Sequence, residues 1–234
     1  MRIEVAVEGG VGRICLNRPE KANALDSALL AELLATLARL SQAPDLRTVV
    51  LAGRGRTFCG GADVDELKSL RASTAGRFVE RIHQVCAAIR ALPVPVLARL
   101  HGAVIGAGLE IAAACDLRIA AEGTRFAMPE VRLGIPSVVE AALLPRLIGS
   151  GRAAWLVLTG ESIDARRALE WGLVEDVCAD LDAGIERIVS SLLAGDRRAL
   201  RMQKALLQLW EEAPLVQSVE QSIARFAEAY QAKD

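Results

Sequence analysis

A carboxylate set among small and apolar residues is the first feature of this chain that could do chemistry. Residues 101–116 read HGAVIGAGLEIAAACD, in which Glu110 is the one acidic residue between the Gly106-Ala107-Gly108 corner and Asp116. Small residues let a backbone come close to a ligand, and the first N–H groups of a helix lack intrahelical partners. Such a corner therefore offers donors, with a partial positive charge behind them, to an oxygen that becomes negative. Glu110 lies a few residues inside the expected helix, flanked by Leu109 and Ile111, and is expected to face an interior or a cleft. Partial desolvation there raises a carboxylate's pKa toward the range useful for proton transfer. An ordinary helix N-terminus with a dipole-compensating glutamate accounts for the same stretch. A second corner, Thr57-Phe58-Cys59-Gly60-Gly61-Ala62-Asp63, repeats the order of strand, small residues and helix start. Two such corners can present two backbone N–H groups to one oxygen, the arrangement of an oxyanion hole, although a tight turn explains either corner alone.

The elements that must position these groups follow from periodicity and capping. Residues 3–7 and 12–16 alternate as strands about the Gly9-Gly10 turn, and Asp26 or Ser27 caps a helix running to about Leu40. A strand over 48–52 leads to the second corner, where Asp63 caps a short helix starting near Val64. A longer helix over 74–92 ends at Pro93 and Pro95, which open the next strand. Beyond the central helix come a strand over 117–120, a loop carrying Met128-Pro129-Glu130, and a helix over 138–148. Asp164 caps a short helix stopped by Gly172, and from Leu181 on the chain reads as three amphipathic helices broken near Gly195 and Pro214. The shift near 178 divides an α/β body, residues 1–178, from a helical region, residues 179–234. Apolar stripes on that region suggest packing against another subunit.

Composition narrows the classes. The 234 residues are 52% hydrophobic, enough for a full core. The net charge of −1, from 28 basic and 29 acidic residues without like-charge blocks, together with only 3% aromatics, gives no footprint for nucleic acid. Cys15, Cys59, Cys86, Cys115 and Cys178 are scattered, odd in number and never in a CxxC pair, so they read as reduced thiols without disulfide or zinc use. No run reaches membrane-spanning length and the N-terminus lacks a leader's apolar segment, so a cytoplasmic location is expected, with no membrane partner.

Five runs in order, NRPEKANAL (17–25), FCGGADV (58–64), HGAVIGAGLEIAAACD (101–116), FAMPEVRLGIP (126–136) and TGESIDARRALEWGLV (159–174), resemble the signatures of the enoyl-CoA hydratase/isomerase, or crotonase, family. The resemblance spans nearly the whole chain. It implies an α/β fold of repeated ββα units with C-terminal helices that build a homotrimer, commonly doubled to a homohexamer. It implies an acyl-CoA thioester substrate whose carbonyl accepts from the N–H groups of Gly60 and Ala107, with Lys21, Ala22, Ala24, Gly61, Ala62, Asp63 and Gly106 along the CoA path. CoA enters as part of the substrate, and no metal or separate cofactor is implied. Glu110 and Glu130 fall on the two acid positions of hydratases, which implies addition of water to a trans-2-enoyl-CoA. On this reading Glu110 is the principal water activator and Glu130 exchanges a proton at the α-carbon.

Alternatives stay open. Without the resemblance, Glu130 is a surface residue pairing with Arg125 or Arg132. A Δ3-Δ2 enoyl-CoA isomerase, hydrolase or decarboxylase of the same family needs one glutamate, and a non-catalytic acyl-CoA-binding oligomer needs neither. After Glu130, hydratases often continue with a glycine-rich stretch, whereas this chain has Ile135-Pro136-Ser137-Val138-Val139-Glu140 where the acyl pocket is shaped. Glu140 is expected on a helix surface, a third acid being the alternative. His83 and His101 are expected to be structural, Cys59 a packed thiol, and Lys204 a solvated lysine, with a CoA phosphate as its other possible contact.

Overall fold

In a computed structural model that describes residues 1–231, the chain forms two β-sheets wrapped by ten α-helices. The last three residues of the sequence-defined helical region, 232–234, lie outside the described residues. The main sheet has the order β1 (Ile3–Glu8), β2 (Val11–Leu16), β3 (Thr48–Gly53), β4 (Val96–Leu100), β6 (Leu117–Ala121), β9 (Asp176–Cys178). Only the β1–β2 hairpin is antiparallel; every other neighbour is parallel. Parallel strands need cover on both faces, which is why β3 reads TVVLAG without polar alternation.

Helices α1 (Ser27–Ser41) and α3 (Ala72–Ala91) cover one face of this sheet, with Leu29, Leu33 and Leu37 of α1 and Phe78, Ile82 and Ile89 of α3 buried in the main core. Burial of each such side chain stabilises the fold by roughly 1.5–3 kcal/mol. Leu181, Ile185 and Val189 of α8 (Leu181–Ala194) pack on Val11, Val50, Leu97 and Ile119 from the other face. Asp26 and Asp164 cap α1 and α7 (Ala165–Trp171), each side chain accepting the N–H three residues on.

A second sheet, β5 (Ala103–Ile105), β7 (Arg125–Ala127) and β8 (Ile163–Asp164), holds the chemistry-bearing loops. Its strands of two or three residues are too short to show a period in sequence. Where the sequence predicts one helix over 138–148, the chain makes a 3-10 turn, Val139–Leu143, and then α5 (Leu144–Ile148). Pro145 cannot donate within a continuous helix, and Val139 sits at φ +41°, which breaks the helical path. Helix α6 (Ser150–Thr159) follows.

The C-terminal pieces are α9 (Arg197–Glu212) and α10 (Leu215–Gln231). Lys204 of α9 is neither solvated nor available to a phosphate. It is 4% exposed, and its Nζ donates to the carbonyls of Val94 at 2.9 Å and Ile89 at 3.3 Å and pairs with Asp116 Oδ2 at 2.9 Å. Burial lowers its pKa, with Asp116 opposing. Along α10, Leu215, Val216, Val219, Ile223 and Phe226 are exposed, and all of these but Val216 line an apolar groove with Trp210. Among the described residues no helix is long and apolar enough to cross a membrane, and no cluster of His, Cys, Asp or Glu is placed to hold a metal ion.

Candidate active site

Topology gathers the two corners and both glutamates at one edge. Val104 of β5 bridges Cys59 in parallel on one side and pairs with Phe126 of β7 in parallel on the other. The connections that follow these three segments, residues 60–63, 106–107 and 128–130, therefore emerge together. Gly106 makes the turn at φ +52°, its N–H donating to Ala127 O at 2.9 Å, and α4 (Ala107–Ala114) starts at once. Gly108 passes so close to Cys59 that a Cβ there would lie 2.7 Å from Cys59 Cβ. Cys59 itself is a buried thiol whose pKa burial pushes up to about 12, so it is no nucleophile at neutral pH.

The oxyanion donor expected from Gly60 needs correction. Its N–H donates to Ala22 O at 2.8 Å, because the 59–63 segment runs between β5 and the 22–25 loop. Two residues on, Ala62 bridges Leu25 in parallel: Leu25 donates to Gly61 O at 2.8 Å and Asp63 donates to Leu25 O at 2.9 Å. In such a bridge the middle residue's own N–H points to the opposite side. Among the described residues the N–H groups of Ala62 and Ala107 have no acceptor. The corners are close, since a Cβ on Gly61 would lie 3.9 Å from Ala107 N.

Glu110 is 4% exposed and accepts the Ala141 N–H through Oε1 at 3.2 Å. Burial first, then the charge of Glu130, push its pKa up to about 8; Glu140 adds to this and the Ala141 N–H opposes it. Glu130 opens a 3-10 turn, Glu130–Leu133, and accepts from Ser137 Oγ at 2.9 Å through Oε2, while its Oε1 occupies the space a Cβ on Gly106 would take. Its surface pairing with Arg132 is not formed: Arg132 Nε donates to Thr159 O at 3.0 Å.

The proposed CoA path is built of a braced loop. Asn23, buried at φ +55°, donates to the carbonyls of Arg54 at 2.9 Å and Thr57 at 2.7 Å. Ala22, also left-handed at φ +53°, and Lys21 are exposed, Lys21 pairing with Asp65 at 2.9 Å, and Ala24 O accepts from Arg18 Nη1 at 3.0 Å. Asp63 caps α2 (Val64–Ser69) and meets Arg18 at 2.5 Å. Burial would raise its pKa, but Arg18 and the N–H groups of Glu66 and Asp65 hold it low, so its carboxylate is fully engaged within the protein.

Three further residues complete the site. Ser137 orients Glu130, as described above. Glu140, expected on a helix surface, is 7% exposed, and its Oε1 lies 2.7 Å from His83 Nδ1. The signal for both was the departure from the glycine-rich stretch. His101, by contrast, is away from this chemistry, its Nε2 on Gly55 O at 3.0 Å.

The family model for enoyl-CoA hydratase/isomerase matches residues 6–234. A crystallised enoyl-CoA hydratase of Mycobacterium smegmatis superposes with a TM-score of 0.96 at 33% identity, over 98% of this chain and 91% of that one. The short-chain-enoyl-CoA hydratase of Clostridium acetobutylicum is 31% identical over 97% of this chain and 88% of its own. The crotonyl-CoA hydratase of Syntrophomonas wolfei is 34% identical over 81% of this chain and 75% of its own. The chain belongs to the enoyl-CoA hydratase/isomerase family, with the crotonase fold.

Proposed function

We propose that this protein is an enoyl-CoA hydratase, adding water across the 2,3 double bond of a trans-2-enoyl-CoA. The observation that carries the reading is the pair of glutamates, Glu110 and Glu130, within electrostatic reach of each other beside two unpaired backbone N–H groups. The thioester oxygen accepts from Ala62 and Ala107, which stabilises the enolate formed as the water oxygen bonds to the β-carbon. The loop carrying Lys21, Ala22 and Ala24, with Gly61 and Gly106, then flanks the CoA path.

For water to add, one carboxylate must be ionised and the other protonated. The ionised member takes a proton from water while the protonated member delivers one to the α-carbon. In the free protein the more buried Glu110 retains its proton at neutral pH. That electrostatic state favours Glu110 as the donor and Glu130 as the water activator, the reverse of the roles the resemblance implies. The test is loss of the conjugated enoyl-thioester absorbance of crotonyl-CoA, with the product identified as 3-hydroxybutyryl-CoA. Binding without water addition would sink the reading and send the search to 3-enoyl substrates.

The apolar groove of α10 supports a companion proposal, that second and third copies of this chain cover it. Contiguous exposed apolar surface marks an interface, and none of the residues lining the groove is acidic or basic. Light scattering on wild type is expected to give a trimer or hexamer mass. Ile223→Glu with Phe226→Glu is expected to give monomers; a monomeric wild type would refute the proposal.

A further inference from the structure

Glu140 is a buried carboxylate with no part of its own in the chemistry proposed above, yet it stands in the segment that holds both glutamates of that chemistry. Ser137 Oγ donates to Glu130 Oε2 at 2.9 Å. The Ala141 N–H, shared with Val138 O at 3.0 Å, donates to Glu110 Oε1 at 3.2 Å. Residues 137–141 therefore form a yoke with one carboxylate on either end. The yoke is bent at a cost, because the β-branched Val139 adopts φ +41°, a conformation that persists only where its surroundings impose it. A tie to α3 helps to impose it. Glu140 Oε1 lies 2.7 Å from His83 Nδ1, and the Cys86 thiol hydrogen-bonds to the same carboxylate. His83 and Cys86 are three residues apart and so share one face of α3. That helix is itself set in the main core by Phe78, Ile82, Val85 and Ile89. Glu140 joins the bent segment to a rigid wall, and its burial spares the joint from competition with water.

We propose that Glu140 is a positioning residue: tied to His83 and Cys86, it holds residues 137–141 in the shape that aims Glu110 and Glu130 at the reacting carbons. The proposal rests on the hydratase reading of the same site. Acid and base catalysis depends on the placement of the two carboxylates to a fraction of an ångström. Thioester binding in that reading belongs to the two corners and the loop of residues 21–24 rather than to this segment. Loss of the tie therefore falls on kcat and leaves KM.

The test combines crotonyl-CoA kinetics with amide hydrogen exchange at Ala141, which reports the hold of the turn without any substrate. Glu140→Ala is expected to lower kcat by about tenfold or more with KM within about threefold of wild type, and to speed exchange at Ala141 while exchange in β3 keeps its wild-type rate. Glu140→Gln keeps the length and a hydrogen-bonding head group, and is expected to retain most of kcat and the slow exchange. An unchanged kcat or an unchanged Ala141 exchange in Glu140→Ala overturns the proposal. So does a glutamine variant as impaired as the alanine one, or a loss that falls on KM alone. If the alanine variant does not fold, His83→Ala takes its place, since that side chain is 56% exposed and its removal cuts one of the two ties; wild-type kcat and exchange there overturn the proposal equally. Because exchange is read without turnover, failure of wild type to hydrate crotonyl-CoA sinks the hydratase reading alone, whereas unchanged exchange sinks only the role of Glu140.

Discussion

Glu110→Gln and Glu130→Gln are each expected to lower kcat/KM for crotonyl-CoA by about 10²–10⁴-fold, the usual contribution of a positioned acid or base, while butyryl-CoA still binds. For Glu110 the pH profile adds a second signature. With its pKa at about 8, the proton Glu110 must deliver is lost as pH rises through that value, so wild-type kcat/KM falls on the alkaline side. In Glu110→Gln the residual activity lacks that limb. Loss of fold does not explain the defect. The folded-state pKa lies above the 4.5 of a free carboxylate, so between these values the native protein holds a proton that the unfolded chain has released. Wild-type stability therefore drops as pH rises across this window, and the glutamine variant, free of that slope, melts at an equal or higher temperature at pH 8. Wild-type rates in both glutamine variants would remove the pair from the chemistry.

The second large effect belongs to Gly106. Its φ of +52° and ψ of −124° are open to glycine and costly for any L side chain, and an added Cβ would collide with Glu130 Oε1. Gly106→Ala is expected to lose about 1–3 kcal/mol to backbone strain and roughly 10²-fold in kcat through displacement of Glu130. Gly149→Ala separates the two contributions: its φ is +82° but nothing lies within 4 Å of the new Cβ. It should share the drop in melting temperature and keep its rate. Equal kinetic losses in both variants would show that strain alone is responsible.

How much of this was legible in sequence depended on how local the signal was. The caps at Asp26, Asp63 and Asp164 were readable because a cap is decided within three residues. Glu110 was readable as an anomaly, a charge inside an apolar helix, and the structure buries it. The small sheet was not, because strands of two or three residues carry no period. Gly60 was misassigned since the partner of a backbone N–H depends on a loop nearly forty residues away, at Ala22. Glu140 and Lys204 failed for one reason. Burial of a charge is permitted by partners distant in sequence, His83 for one and Val94 and Asp116 for the other, and nothing local announces them.

The Lys204 tie also bears on when the site becomes whole during biosynthesis. Helix α4 is eight residues long, and the residues just beyond it are fastened by Asp116, whose carboxylate takes the Val96 N–H at 2.7 Å and Lys204 at 2.9 Å. A ribosome delivers the glutamates and both corners well before Lys204. Until α9 emerges, Asp116 and the carbonyls of Ile89 and Val94 lack their shared cation. The nascent chain thus carries both glutamates and both corners before the clasp that fastens the end of α4, and the last quarter of the sequence acts as the lock on a candidate site assembled from the first three.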